Sequence, residues 1–279
     1  MTVTLASGSS AGLDGALARS GDLEARLATT GKDVRDAQAL RYRVFFGANS
    51  SRPAHPSEAR DVCPFDAVSD HLLVVDHAVR RDDGSPELVG VYRLLRQEVA
   101  DRRFGFYSSG EFDLAPLFAR WPSARFLEAG RACVAETHRG RHVLELLWRG
   151  LWRYARHYEI DALIGCASLP GTDPAAHAGA IRALAAGGDR DWRVAPRDGR
   201  AASLPGDGAA RAADPRSLSR ALPPLVKGYW RLGATFSPAP VIDPGFGTTD
   251  LFVVLPLWDV EPRYLEHFGV TAPPRPLAA

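Results

Sequence analysis

Between Phe126 and Arg141 an apolar run carries Glu128 and Arg131, passes into a basic glycine loop at Arg139-Gly140-Arg141, and leads into a helical pattern. A plain core strand has little use for an acid and a base three residues apart. Strict alternation sends residues 128 and 131 to opposite faces, so either the strand bulges at Gly130 or the two side chains serve different surfaces. A strand-to-helix junction offers free backbone N–H groups and the positive end of a helix dipole to an anion or a developing oxyanion. That combination suits an acyl-donor site.

The flanking elements must position these groups. From Asp33 to Phe46, Val34, Ala37, Leu40, Val44 and Phe45 recur near helical spacing, with Arg35, Arg41 and Arg43 between them. Residues 47–69 read as a long loop with Pro53, Pro56 and Pro64 and the acidic-aromatic cluster Asp61, Phe65, Asp66 and Asp70. His71–His77 and Glu87–Leu95 are strands around the turn signal Arg81-Asp82-Asp83-Gly84-Ser85, which predicts an antiparallel hairpin. A strand over 125–134, a helix over 141–158 and a strand over 160–167 follow. On that helix Leu144, Leu147, Trp148, Leu151, Trp152 and Ala155 form an apolar stripe, which assigns the two tryptophans to the core. Arg149, Arg153 and Arg156 line another face, either a solvated surface or a dock for an acidic carrier. A last buried strand is expected at 249–256, and the segment from Pro262 onward reads as peripheral.

Composition narrows the class. With 279 residues, 46% hydrophobic and 24% charged, the chain is long enough for a sizeable core, and a net charge of +1 gives no general field for nucleic acid. Cys63, Cys133 and Cys166 are odd in number and widely spaced, so neither a disulfide framework nor a zinc site is expected. A reducing, cytoplasmic setting follows. No apolar run reaches the roughly 20 residues that cross a bilayer, and the start of the chain lacks the pattern of a secretory signal. The expected organisation is a flexible tail over 1–22, one domain over 23–268 with a mobile insertion at 195–217, and a second tail over 269–279.

The order of elements is that of a GNAT-type acyltransferase, and separated motifs make the likeness specific. They are Tyr42-Arg43-Val44-Phe45-Phe46, Phe65-Asp66 with Asp70-His71-Leu72, Val89 to Leu95, Gly105-Phe106-Tyr107-Ser108 and Glu111-Phe112-Asp113-Leu114. Further along come Leu127-Glu128 with Gly130-Arg131 and Cys133-Val134, Leu147 to Gly150, Gly165 to Pro174, Pro223 to Tyr229, and Asp243 to Asp250. Through them the chain resembles the bacterial ornithine-lipid N-acyltransferases, relatives of the acyl-homoserine lactone synthases, over residues 33 to 268. Ala132 and Trp230 depart from that pattern, which has Ser and Leu there; the Trp bears on acyl-pocket volume. The resemblance implies an α/β (α+β) fold, a mixed and mostly antiparallel central sheet with helices on both faces.

It also implies a reaction: transfer of a 3-hydroxylated acyl group from acyl carrier protein to the α-amine of ornithine, a step of ornithine-lipid synthesis, with a pantetheine thioester as donor (or acyl-coenzyme A) and no bound cofactor or metal. An amino-acid amine is mainly protonated near neutrality, so a carboxylate or ordered water must take a proton. Glu128 is the first candidate; alternatively it braces the sheet by pairing with Arg131 or Arg93. Arg43, Arg93 and Arg131 hold the substrate carboxylate or order the acidic loop. Asp66 and Asp70 recognise the ornithine side chain or pin that loop. Backbone N–H groups near Cys133, Val134 and Ala135 serve the oxyanion, while Arg139, Gly140 and Arg141 meet the carrier phosphate. Cys166 and Ser168 sit on the neighbouring donor strand. A nucleophilic Cys166 lacks an activating base nearby in sequence, and His71, beside Asp70, either relays a proton or is structural. Transient contact with the inner membrane face belongs to the same expectation. The alternatives are another amine acceptor, including lactone-synthase-like activity, and a non-catalytic acyl- or membrane-binding protein.

Overall fold

A computed structural model describes residues 13–47, 59–205, 215–269, 271–276 and 278. Strands β1 (Ala16–Ser20) and β2 (Leu23–Leu27) lead into helix α1 (Gly31–Phe46), then β3 (Asp70–Arg80), β4 (Pro86–Arg96) and the short α2 (Gln97–Ala100). Next come α3 (Ala115–Arg120), β5 (Phe126–Val134), α4 (Arg141–His157) and β6 (Ala162–Pro170). The chain continues through α5 (Ala178–Ala186), α6 (Pro215–Ala221), α7 (Pro224–Arg231), β7 (Thr235–Phe236), β8 (Val241–Asp243), β9 (Thr248–Pro256) and α8 (Pro262–Phe268). Contacts divide it into two compact units: Met1–Phe104 with Leu127–Glu159 and Glu266–Val270, and Gly105–Phe126 with Ile160–Leu265 and Thr271–Ala279.

In the first unit β1 to β5 form an antiparallel ladder in chain order, with α1 on one face and α4 on the other. Helix α1 starts where a capping box allows it: Thr30 Oγ1 accepts from the Asp33 N–H and the Asp33 carboxylate accepts from the Thr30 N–H. Its inward stripe places Ala37 and Leu40 against Leu73, Val75, Leu88, Val91 and Cys133. Helix α4 comes close to the opposite face because two glycines leave room. A Cβ at Gly90 would stand 2.8 Å from Val143 Cγ1, and one at Gly150 would stand 2.7 Å from Leu72 Cδ1. Trp148 and Trp152 are buried on α4, as core residues, and Phe268 stacks against both.

In the second unit β6 pairs with β9 along its whole length, and β7 and β8 also pair with β9, all antiparallel. Trp121 and Trp192 stack at 4.4 Å, with Trp258 tilted against them.

Three expectations change at the edges of the elements. The stretch expected as a tail over 1–22 contains β1, which pairs with β2 because a turn at Gly21 (φ +57°) folds it back. Residues 1–12 lie outside the described residues. The expected mobile insertion at 195–217 is held at its beginning: Asp113 donates to the Ala195 carbonyl, Arg197 to the Glu111 carbonyl and Ala202 to the Pro240 carbonyl, at 2.8–2.9 Å. Residues 215–221 are helical, and 206–214 lie outside the described residues. The segment from Pro262, expected to be peripheral, buries Leu265 and covers the α4 tryptophans with Phe268.

Candidate functional site

The strand bearing Glu128 and Arg131 does bulge, one residue beyond Gly130. Arg93 opposes Gly130 and Val91 opposes Cys133, so Tyr92 faces both Arg131 and Ala132. Arg131 has φ +53°, a left-handed conformation that costs a non-glycine residue energy and marks a constrained position. The extra residue restores the side of the sheet lost by alternation. Opposed residues share a face, so Leu95 with Glu128, Arg93 with Gly130, and His71 with Arg93 all lie on the α1 side. The bulge turns Arg131 to that side as well, where its Nε stands 3.3 Å from Asp61.

A buried ion network fills this side. Arg41, wholly buried on α1, forks Asp66: Nη1 donates to Oδ1 at 3.0 Å and Nη2 to Oδ2 at 2.7 Å. Its Nε lies 3.0 Å from Asp61 Oδ2, and Nη2 also donates to the Asp61 carbonyl at 2.5 Å. Gln38 and the Cys63 N–H donate to Asp66 Oδ2, and Arg93 reaches Oδ1 at 3.4 Å. Burial by itself would raise the Asp66 carboxyl; the Arg41 charge and hydrogen bonds, with Arg93, outweigh it and hold the group at about 2. His71 shares this face, and its Nε2 meets the Asp66 carbonyl at 3.1 Å. Burial, opposed by the Asp66 charge, depresses the imidazole to about 4. It is therefore neutral near pH 7, with the Nε2–H donating to that carbonyl. Glu128, only 4% exposed, lies on the same face. This face thus gathers the guanidinium groups of Arg93 and Arg131, of the kind that pair with a carboxylate, beside the position of Glu128.

Other expected residues stand elsewhere. Arg43 is 55% exposed and 3.7 Å from Glu87. The inward positions of α1 are 37, 40, 41 and 44, so position 41 rather than 43 enters the network. Asp70 is next to His71 and therefore faces the opposite side of the sheet, accepting from the Tyr154 hydroxyl at 2.5 Å with Arg96 at 3.8 Å. Asp66 and Asp70 do not form one pocket. Burial raises the Asp70 carboxyl despite Tyr154 and Arg96.

On the donor side, Cys133 is a core residue under α1, its thiol pushed up to about 12 by burial. The Ala135 N–H is already bonded to the Val89 carbonyl at 2.8 Å, so it is not a spare oxyanion donor. Val134 follows on the strand, opposite Gly90. Gly140 is the N-cap of α4 with no side-chain cap, which leaves first-turn N–H groups open to an anion, and Arg141 is the first helical residue. Arg139 is exposed and 3.6 Å from Glu136.

The second unit holds a different polar cluster. Ligand atoms of Glu111, Cys166 and Asp250 lie within 4.8 Å of one another. Cys166 Sγ donates to Glu111 Oε2 at 3.7 Å, and Arg200 approaches Glu111 Oε1 at 3.8 Å. Ser168 pairs with Asp250 across β6 and β9 and is exposed. Burial first, then the charges of Asp250 and Asp243, raise Glu111 to about 7, so it exchanges a proton near neutral pH. Carboxylates and a thiol are also a donor set for a cation.

Sequence reading passed over Arg41, Gln38, Asp61, Glu111 and Asp250 as site residues. A signal existed for Arg41, which completes the inward helical stripe with Ala37, Leu40 and Val44. Glu111 and Asp250 are 139 residues apart, and no local pattern joins them.

Residues 40–149 match the model of the acetyltransferase (GNAT) domain. A protein of Agrobacterium fabrum named L-ornithine N(alpha)-acyltransferase is 43% identical over 264 residues, 92% of this chain and 88% of its own length. Its namesake in Rhizobium meliloti is 42% identical over 262 residues, 92% and 87%. A solved N-acyl amino acid synthase from uncultured soil microbes is 11% identical with a TM-score of 0.47, covering 84% of this chain and 90% of its own. Nearly full-length identity above 40% to such relatives exceeds what a shared fold alone produces: the chain is an acyltransferase and belongs to the L-ornithine N(alpha)-acyltransferase family.

Proposed function

We propose that the protein transfers a 3-hydroxyacyl group from acyl carrier protein to the α-amine of L-ornithine, giving lyso-ornithine lipid. The observation that carries this reading is the bulged strand, which brings Arg131 to the same sheet face as Glu128, Arg93 and the Arg41–Asp66 pair. The names of the relatives supply ornithine as acceptor. In this reading Arg93 and Arg131 hold the amino-acid carboxylate and Glu128 takes the ammonium proton, directly or through water. The freed amine attacks the thioester carbonyl, the C–N bond forms, and the carrier thiolate leaves with a proton. Asp66 holds Arg93 in place. The open first turn of α4, with Arg139 and Arg141, receives the phosphate of the pantetheine arm. Exposed Arg153 and Arg156 meet the acidic carrier; Arg149, bonded to Glu145 at 2.8 Å, supports them.

Glu111 is a second candidate for proton acceptor, favoured by its value of about 7, which matches the working pH better than an ordinary carboxyl does. No helix among the described residues is long and apolar enough to cross a membrane; in this reading the protein works from the cytoplasm and meets the inner membrane face.

The deciding experiment incubates purified protein with 3-hydroxyacyl carrier protein or the matching coenzyme A ester and a panel of amino acids, with products identified by mass spectrometry. Acyl-ornithine formed from the carrier is expected. Preference for another amine, or for coenzyme A, overturns that part of the assignment. Reversing Arg153 and Arg156 to Glu is expected to raise KM for the carrier-bound donor about tenfold at low salt and less at high salt.

A further inference from the structure

Three large apolar side chains are exposed among the described residues: Val62 (61%), Val79 (44%) and Phe104 (52%). Single exposures are ordinary. One of them, however, is half of an aromatic contact, and another lies close in the chain to its partner ring. Phe104 stands edge-on to Phe65 with ring centroids 4.7 Å apart, and Val62 lies three residues before Phe65 on the segment that delivers Asp66. Phe65 also lies 5.5 Å from the Arg93 guanidinium. The turn carrying Phe104 is pinned to α2: Asp101 donates to the Gln97 carbonyl at 2.8 Å and Arg103 to the Ala100 carbonyl at 3.0 Å. Arg102 and Arg103 are exposed and enter no ion pair among the described residues, while Asp101 offsets one of the two charges locally. Half-exposed phenylalanine beside two solvated arginines, on a braced turn, complements a surface that is anionic outside and apolar just beneath.

We propose that the Asp101–Phe104 turn, with Val62, is a tip that seats the protein on an anionic lipid bilayer. Phe104 enters the headgroup layer, and Arg102 and Arg103 lie against lipid phosphates. The proposal rests on the acyl-transfer reading, because a long-chain acyl amino acid is an amphiphile that leaves a membrane-seated enzyme without crossing water. The tip is joined to the candidate site through Phe65 and Arg93, so the seat and the site share one segment of chain.

The test is flotation of the full chain with phosphatidylcholine vesicles with and without phosphatidylglycerol. Wild-type protein is expected to float with the anionic vesicles, less so as salt is raised. Arg102→Glu with Arg103→Glu should weaken that partition tenfold or more, at about fivefold per basic residue removed. Phe104→Ser should weaken it as well, and Phe104→Trp, which keeps the contact with Phe65 and suits the interface, should restore it. Turnover of the arginine double variant on a water-soluble short-chain thioester should equal that of wild type. If wild type ignores anionic vesicles, or the tip variants bind them as wild type does, the tip is not a membrane seat. Tip variants that lose carrier protein but keep vesicles would assign the surface to a protein partner instead. Absence of ornithine acylation by wild type, with vesicle binding intact, removes the reaction and leaves the seat standing.

Discussion

Two buried carboxylates, Asp66 and Glu111, show how neighbours decide the state of one functional group. Burial pushes both upward. At Asp66 a forked guanidinium and a second arginine reverse the effect and fix a negative charge, with the group at about 2. At Glu111 two further carboxylates reinforce it, and the group reaches about 7. The first cluster keeps its charge near neutral pH, and the carboxyl of the second changes its charge there. A group that titrates near neutrality is suited to exchange protons in turnover; one that stays charged there is suited to hold other groups still.

The largest effect should come from breaking the first cluster. Arg41→Met leaves Asp61 and Asp66 buried against lost partners and should cost about 3–5 kcal/mol in urea denaturation, while Arg41→Lys should recover only part, since an ammonium cannot fork a carboxylate. A loss below about 1 kcal/mol would show that the network does not act as a frame.

The next test separates the two clusters in catalysis. Glu128→Gln should lower kcat by about 10²- to 10⁴-fold with unchanged melting temperature, and Glu111→Gln by far less. The reverse ranking moves the proton acceptor to the second unit. Tyr154→Phe probes an intermediate case, since Asp70 is raised by burial but held by one hydroxyl and, at longer range, by Arg96. Loss of that bond should cost about 1.5–3 kcal/mol, with little change in KM for the amino acid, because Asp70 faces away from the ion network.

The smallest effect is in pH dependence, where the clusters have opposite signs. The folded value of Glu111 lies above its ordinary 4.5, so its stabilisation is complete below that value and lost as pH rises through about 7. His71 lies below its ordinary 6.5, so its contribution is lost as pH falls from there through about 4. Asp66 adds a further loss as pH falls from 3.8 through about 2. Glu111→Gln should therefore remove a fall in melting temperature between about pH 4.5 and 7 and leave the loss below about pH 4 intact. An unchanged slope over that window would argue against proton exchange at Glu111.

Much of this was legible in the linear chain. The helical spacing from Asp33 to Phe46, the hairpin turn at 81–85, the apolar stripe of α4 and the strand bearing Glu128 are all local patterns, set by steric and hydrogen-bonding preferences over a few residues. The family was legible too, because many short motifs occur in order. Reading became unreliable where a side chain's direction depended on one residue of register. Arg41 and Arg43 differ by two positions on a helix, Asp70 and His71 by one on a strand, and in each pair one member joins the network while the other faces away.

Residue types and their order thus determined the elements, the family, and the presence of acids and bases suited to acyl transfer. Tertiary structure alone decided which of them meet. The bulge at Arg131 and the parity of β3 select the faces, and the pairing of β6 with β9 brings Asp250 to the strand that carries Cys166. Charge at a buried site depends on atoms within a few ångströms, and those atoms come from segments that only folding brings together.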